Sequence, residues 1–371
     1  MELSVFRWHL QSLCVFDFFV RGGWRPVYVV SHGTCLSYQN RDITSVHLFL
    51  CYTTLQLVIA GRIIAELNLN KNCIEVLYIS KIDNLACQNA MNEIRELASS
   101  VRFVHMKYKY PLYFPRLYNL FSGRSFKSVY VASVDNILMH YVLSRIKFKE
   151  LYTFDDGTAN IFPESIYYQQ FKDNFASHVI RVFLNIQYTM KCIKLKSIKH
   201  YTIYKGYKNI VPRLVPINLI SETSKEKTNF LDNNHQVCNI FLGGIISDIL
   251  QSDADIPSFV TKCESFLNDS GSDVIFIPHP RSKEEYFLHN SNWNILQPTH
   301  IAEIEIINLL QKYEKVNLFG FLSSCQLNLQ AIERIDNHIF YSDKQSGIFK
   351  NAIKKFCSIN PADFKIINLD E

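Results

Sequence analysis

The sequence predicts an α/β protein built from two Rossmann-like halves, each a parallel sheet flanked by helices. Short apolar runs of β type alternate with segments of helical spacing. The alternation stops at one long polar stretch, residues 219–236, and restarts beyond it. A chain of 371 residues has room for two ordinary domains. With 48 % apolar and 20 % charged residues it has the profile of a folded protein.

The elements follow in order. Residues 1–45 are a poorly specified leader: Arg7, Asp17, Arg21 and Arg25 interrupt its apolar stretch. No charge-free run approaches the ~18 residues of a membrane span, and no small-residue cleavage site appears. An interfacial anchor is the sharper alternative. "SVHLFLCYT" (45–53) reads as a strand and "TLQLVIAGRIIAEL" (54–67) as a helix, through the spacing of Leu55, Val58, Ile59, Ile63 and Ile64. Further strands are expected at 73–80, 101–108, 127–134 and 150–154. The linker 219–236 is rich in Ser, Thr, Lys, Glu and Asn. After it come "VCNIFLGG" (237–244), "DVIFIPHP" (273–280), "KVNLFGFLSS" (315–324) and "NHIFYSD" (337–343). The domains are therefore expected at 46–225 and 226–371, with a cleft between them and site residues at strand ends.

Composition narrows the partners. A net charge of +5 favours phosphates or an acidic membrane surface and falls short of a nucleic-acid footprint. The ten cysteines form no CxxC pair and read as buried free thiols. Dinucleotide, P-loop, nucleophile-elbow and HExxH motifs are all absent.

Several strand ends carry unusual polar residues. In "LYTFDDGTANIFP" (151–163) Asp155 and Asp156 precede Gly157, either as catalytic carboxylates or as a loop cap. In "FIPHPR" (276–281) two prolines frame His279, which stiffens the loop, and Arg281 follows Pro280. Such an imidazole can donate a proton to a departing phosphate, with Arg281 as a forked cation. Ser323 and Ser324 offer hydroxyls at a strand-to-helix turn, a phosphate cradle or an ordinary N-cap. Gly243 and Gly244 permit close backbone approach to a ligand, and Asp248 behind them is a base or a helix cap. Asp253 and Asp255 have a metal-ligand spacing but lie in a polar stretch that reads as a solvated loop. The lysines at 191, 194, 196, 199, 205 and 208 read as a solvated face that can also meet anionic lipid.

Four stretches, "LFLCYTTLQLVIAGRI" (48–63), "TFDDGTANI" (153–161), "HYTIYKGYKNI" (200–210) and "IPHPR" (277–281), together resemble the bacterial sialyltransferases of glycosyltransferase family 52. The likeness runs from about residue 46 to the C-terminus. It implies a GT-B fold in which 46–225 shapes the acceptor side and 226–371 binds the nucleotide sugar. It also implies metal-independent, inverting transfer from CMP-sialic acid to a galactose-type hydroxyl of a lipooligosaccharide or other surface glycan, with no cofactor. By the same resemblance His279 assists departure of the phosphate, Ser323 and Ser324 contact it, and Glu303 bonds to the nucleotide, with Glu305 as its competitor. The base is Asp248 by family pattern, though extra residues shift the register; in related families the acidic pair supplies it, which keeps Asp155 and Asp156 as candidates. Positioning of the sugar is the role expected of that pair. Other expectations are a bacterial cytoplasmic enzyme, peripheral on the inner membrane, with a lipid-linked acceptor and a homodimer as open options. The alternatives are a GT-B enzyme using another nucleotide sugar and an inactive glycan- or nucleotide-binding module.

Overall fold

In a computed structural model the described residues are 15–19, 24–28, 45–107, 112–169, 175–220, 237–270, 273–282, 286–287, 292–359 and 363–371. Two compact units result, Met1–Asp42 and Ile43–Glu371. The first contains an antiparallel pair, β1 (Val15–Phe19) and β2 (Trp24–Tyr28), where the sequence pattern gave no element. The linker residues 221–236 lie outside the described residues.

The second unit opens with β3 (His47–Cys51), a fully buried run, and α1 (Thr54–Glu66). Thr53 caps α1 by accepting from the Gln56 amide, and Leu57, Ile59, Ala60, Ile63 and Ile64 form its buried stripe. There follow β4 (Ile74–Ser80), α2 (Leu85–Leu97), β5 (Ser100–His105), α3 (Tyr113–Phe121), β6 (Ser125–Val131), α4 (Ile137–Leu143) and β7 (Lys147–Phe154). Helices α5 (Phe175–Phe183) and α6 (Met190–Lys196) lead to two short strands, β8 (His200–Thr202) and β9 (Leu214–Pro216). All seven strands from β3 to β9 pair in parallel, in the order β5-β4-β3-β6-β7-β8-β9.

The second sheet repeats the plan. It comprises β10 (Val237–Leu242), α7 (Ile246–Ile249), α8 (Ile256–Asp269), β11 (Val274–Ile277), β12 (Asn294–Ile295), α9 (Ala302–Leu309), β13 (Lys315–Gly320), α10 (Ser324–Leu329), β14 (Ile335–Tyr341), α11 (Gly347–Ile359) and β15 (Phe364–Asn368). Its order, β12-β11-β10-β13-β14-β15, is again 3-2-1-4-5-6 counted from its own first strand, and every pairing is parallel. Two doubly wound sheets of this order make the GT-B fold. In each, the strand order reverses beside the first strand, and ligands of such sheets bind there, at the strands' carboxyl ends.

Those carboxyl ends face each other. Ile161 and Tyr204, beyond β7 and β8, share a buried cluster with Leu322, Leu327, Ile353 and Phe356 of the second half. The Phe162 and Phe356 rings lie 4.5 Å apart, and the Asn89 side-chain amide donates to the Thr299 carbonyl at 2.9 Å.

Candidate active site

Glycine sets the path of the "FDDG" corner. Gly157 has φ +130° and ψ −160°, a region open essentially to glycine alone, so the chain turns sharply after the two carboxylates. That turn separates their fates. Asp155 is fully buried and accepts from His200 Nε2 at 2.8 Å, the Ile203 amide at 2.7 Å and Asn209 Nδ2 at 2.9 Å. His200 Nδ1 in turn meets Thr153 Oγ1 at 2.8 Å. The expectation that Asp155 reaches a substrate therefore gives way: with three partners and no exposure, it locks the end of β7 to residues 200–209. Replacing His200 by Ala should cost about 3 kcal/mol, because it strands a buried carboxylate. A urea unfolding midpoint that changes by less than the equivalent of about 1 kcal/mol would contradict this structural role.

Asp156 is half-buried and differently surrounded. Its carboxylate accepts from the Tyr167 hydroxyl and the Gln56 side-chain amide, with Ser133 Oγ at 3.4 Å, while its own amide donates to Asn160 Oδ1 at 2.8 Å. Burial pushes its pKa up to about 6, Asp135 adds to the rise, and the hydrogen bonds hold it back. Asp135 follows β6 and is also raised by burial; it shares the Tyr167 hydroxyl at 3.3 Å. Gln56 is fully buried on α1, where it also donates to Ser133 at 2.9 Å and accepts from the Tyr52 amide at 2.5 Å. Lys194 holds Tyr167 from behind by donating to its backbone carbonyl. That lysine thus leaves the solvated face expected of the cluster, and burial lowers its pKa. The result is an acid–amide–phenol set at the ends of β3, β6 and β7. Of it, only Asp156 was marked in the sequence. Asp135 carried a usable signal, a carboxylate just past an apolar strand; Gln56, Ser133 and Tyr167 carried none.

On the opposite sheet, the loop after β11 rests on an aromatic cluster. Phe241 meets Phe276, Phe287, Trp293, Phe321 and Phe340 at ring distances from 4.9 to 5.9 Å. Such pairs each contribute about 0.5–1.5 kcal/mol beyond area burial, which gives the loop a stiff base. Gly243 and Gly244 pass beneath it. A Cβ on Gly243 would meet the His279 backbone nitrogen at 2.9 Å, and one on Gly244 would meet Ile249 Cδ1 at 2.9 Å. The His279 loop thus approaches Gly243 closely and the Ile249 side chain approaches Gly244, and neither glycine has a positive φ. Both still line a cavity of about 170 Å³ with Pro278, His279, Ser282 and Gln297.

His279 is half-buried. Its Nδ1 accepts from the Arg281 amide at 3.3 Å, which puts the ring proton on Nε2. Burial lowers its pKa, the Arg281 charge lowers it further, and Asp248 opposes both. Pro280 and Arg281 are exposed beside it, and Asp248 is exposed on the short helix α7.

The remaining candidates divide. Ser323 caps α10: its hydroxyl accepts from the Gln326 amide at 3.2 Å while Gln326 Oε1 accepts from the Ser323 amide at 3.1 Å. Its acceptor role is therefore internal, and Ser324 begins the helix, half-buried. Leu322 just before them has φ +61°, a strained conformation fixed by its packing against Ile161 and Tyr204. Glu303 is buried, its pKa raised by burial, and it accepts from Asn328 Nδ2 at 2.7 Å. Glu305 instead ties down its own loop, accepting from the Thr299 amide and hydroxyl and from the His300 amide at 2.6 to 2.8 Å. Tyr204 lies between the halves. Its buried hydroxyl has no partner among the described residues and stands within electrostatic range of Asp155 and Asp156 on one side and Glu303 on the other. Asp253–Asp255 form a 3-10 turn, with Asp255 paired to Lys344 at 3.2 Å.

Comparison with known proteins places the chain in a family. The model of glycosyltransferase family 52 matches residues 71–339. A CMP-N-acetylneuraminate:beta-galactoside alpha-2,3-sialyltransferase of Pasteurella multocida is 30 % identical over 289 residues, covering 76 % of this chain and 87 % of the relative. An N-acetyllactosaminide alpha-2,3-sialyltransferase of Haemophilus influenzae is 29 % identical, over 78 % of this chain and 90 % of the relative. Among solved structures, the Staphylococcus aureus MnaA–UDP complex superposes with a TM-score of 0.51 at 8 % identity, covering 88 % and 84 % of the two chains, a likeness of fold alone.

Proposed function

Because the chain belongs to glycosyltransferase family 52, we propose that it transfers sialic acid from CMP-sialic acid to a terminal galactoside hydroxyl, with inversion and without a metal. One observation carries this reading. A carboxyl with a pKa of about 6 and a proline-framed histidine stand at carboxyl ends of two sheets whose carboxyl ends face each other.

In the proposed reaction the acceptor oxygen forms a bond to the anomeric carbon of sialic acid while the bond from that carbon to the phosphate oxygen breaks. Asp156 takes the proton of the attacking hydroxyl. The departing electron pair stays on the CMP phosphate, whose growing charge accepts a hydrogen bond from His279 Nε2–H and which Arg281 approaches as a cation. Asp248 lies within electrostatic range of His279 and favours its charged form, opposing Arg281. Glu303 and the Ser323–Ser324 turn stand on the donor side, for the nucleotide.

The reading extends to a lipid-linked glycan of the cell surface as the acceptor, reached from the membrane face. Among the described residues no helix is long and apolar enough to cross a membrane.

Incubation with CMP-sialic acid and lactose, in the presence of EDTA, should release CMP and give a sialylated product whose linkage can be read by NMR. Turnover of a UDP- or GDP-sugar with no CMP release would overturn the sialyl reading. Dependence on added metal would overturn the metal-free mechanism.

A further inference from the structure

No step of the proposed reaction occupies the cavity of about 170 Å³ beside His279. A cavity of ~150 Å³ admits one benzene ring, so this one takes a side arm of a ligand rather than a nucleoside.

Its floor is apolar and stiff. Ile246, Phe276 and Phe287 line it and are buried. The two phenyl rings lie 5.7 Å apart, and Phe287 stacks on Trp293 at 6.0 Å. Its rim is polar. The Ser282 amide donates to the His279 carbonyl at 3.0 Å, a turn that brings Ser282 back beside His279. The Leu296 amide donates to the Phe276 carbonyl at 2.9 Å, which fixes the chain after β12 to the end of β11 and sets Gln297 at the opening. Gln297 is exposed, and its side chain makes no hydrogen bond among the described residues.

Position decides which part of the donor the cavity serves. The breaking bond lies at His279, with the nucleotide toward Glu303 on α9 and the Ser323–Ser324 turn at α10. Among the described residues the lining comes from the β10–α7 turn, from β11 and the loop after it, and from the chain beyond β12, with none from α9 or α10. The cavity thus shares the imidazole with the breaking bond but none of the nucleotide's elements, which leaves it to the transferred sugar. Of the arms of a sialic acid, the acylamino group at C5 matches this lining, with an apolar acyl end for the two rings and an amide for Gln297. The trihydroxypropyl tail would set hydroxyls against those rings. The carboxylate would find no lysine or arginine among the described lining residues.

We propose that this cavity is the acyl subsite of the donor: the C5 acylamino group enters it, with its acyl end on Phe276 and Phe287 and its amide on Gln297. Gln297 is then a specificity-determining residue. The inference rests on the sialyl reading and deepens it.

Three CMP-activated sugars test it, alike except at C5, where they carry acetamido, azidoacetamido or hydroxyl. The parent should favour the acetamido over the hydroxyl donor about ten- to two-hundredfold in kcat/KM, and it should accept the longer azidoacetamido arm within about fivefold of the acetamido one. Gln297→Ala should shrink the acetamido preference at least about fivefold. Ser282→Phe fills the opening and should lower turnover of both acylamino donors at least about tenfold more than that of the hydroxyl donor. CMP alone carries no sugar, so by calorimetry Gln297→Ala should bind it as the parent does. The proposal is overturned if the parent uses the acetamido and hydroxyl donors alike, or if Gln297→Ala lowers both by the same factor. It is also overturned if Gln297→Ala weakens CMP itself, which would give the cavity to the nucleotide. CMP release from none of the three sugars would overturn the sialyl reading and the subsite with it, whereas equal release from all three overturns the subsite alone. Should Ser282→Phe lose turnover of every donor, the Gln297 comparison decides alone.

Discussion

Asp156→Asn should lower kcat about a thousandfold, within the ~100- to 10,000-fold range of a positioned acid or base. The pH profile makes the assignment specific. Asp156 must be ionised to accept a proton, and its pKa stands at about 6. Parent activity should therefore fall about tenfold per pH unit below 6 and level off above it. The residual activity of the Asp156→Asn variant should lose that limb. The same residue makes a stability prediction of opposite sign. A folded pKa of about 6, above the ordinary 3.8, means the native state favours the protonated carboxyl. Native protons then outnumber unfolded ones between the two values, so stability declines as pH rises through that window and stays reduced above it. The loss at neutral pH is on the order of 1–3 kcal/mol, at ~1.4 kcal/mol per pKa unit. The carboxamide of Asp156→Asn carries no charge, so that variant should hold or raise the melting temperature at pH 7.5. A melting temperature lowered by several degrees would make Asp156 a structural acceptor like Asp155. An unchanged kcat with the acid limb intact would transfer the base role to Asp248, which the parallel Asp248→Asn variant would then show.

The contrast between Asp155 and Asp156 shows what could be read from sequence alone. "FDDG" announces two carboxylates at a strand end, and the strand is legible in its apolar final residues, Leu151, Tyr152 and Phe154, although Lys147, Lys149 and Glu150 break its start. Which carboxylate turns inward depends on the φ of Gly157 and on His200, 45 residues downstream of Asp155. The strands at β3, β4, β10 and β11 were legible for the same reason. The short strands β8, β9 and β12 have two or three residues each, too few to show a period. In the site, proline and glycine punctuation marked His279 and Gly243, since these residues act through backbone geometry that composition reveals. Gln56 could not be found this way. It is one polar residue on an apolar helix stripe, and its partner Asp156 is 100 residues away. At the glycine pair a missing Cβ shows that something comes close: the His279 amide at Gly243 and the Ile249 side chain at Gly244, while both glycines also line the cavity beside His279.

His279→Ala should lower kcat by about a hundred- to ten-thousandfold and leave the donor KM within a few fold. The split follows from when the interaction forms. In the ground state the phosphate of the donor is a diester monoanion, and a neutral imidazole gains little from it. Charge accumulates on the phosphate oxygen only as the bond to the anomeric carbon stretches, and there the Nε2 proton has most effect, so its loss falls on the transition state. Burial and Arg281 depress the His279 pKa, leaving the ring neutral at physiological pH in the free enzyme. It therefore enters the reaction as a hydrogen-bond donor whose proton affinity rises when the anion binds beside it. His279→Gln keeps a donor of similar reach without the titrating ring and should recover part of the loss; His279→Asn, one methylene shorter, should recover less. The proline frame enters here as well. Pro278 and Pro280 restrict the backbone on either side of His279, and the missing side chain of Gly243 leaves room for its amide. The imidazole is thus positioned before substrate arrives, and little reorganisation is left for the moment of bond cleavage. If His279→Ala raised the donor KM by the same factor that it lowered kcat/KM, with kcat unchanged, the ring would be a binding group and the leaving phosphate would depart on Arg281 alone. Equal activity in His279→Ala and the parent would remove the residue from the chemistry altogether.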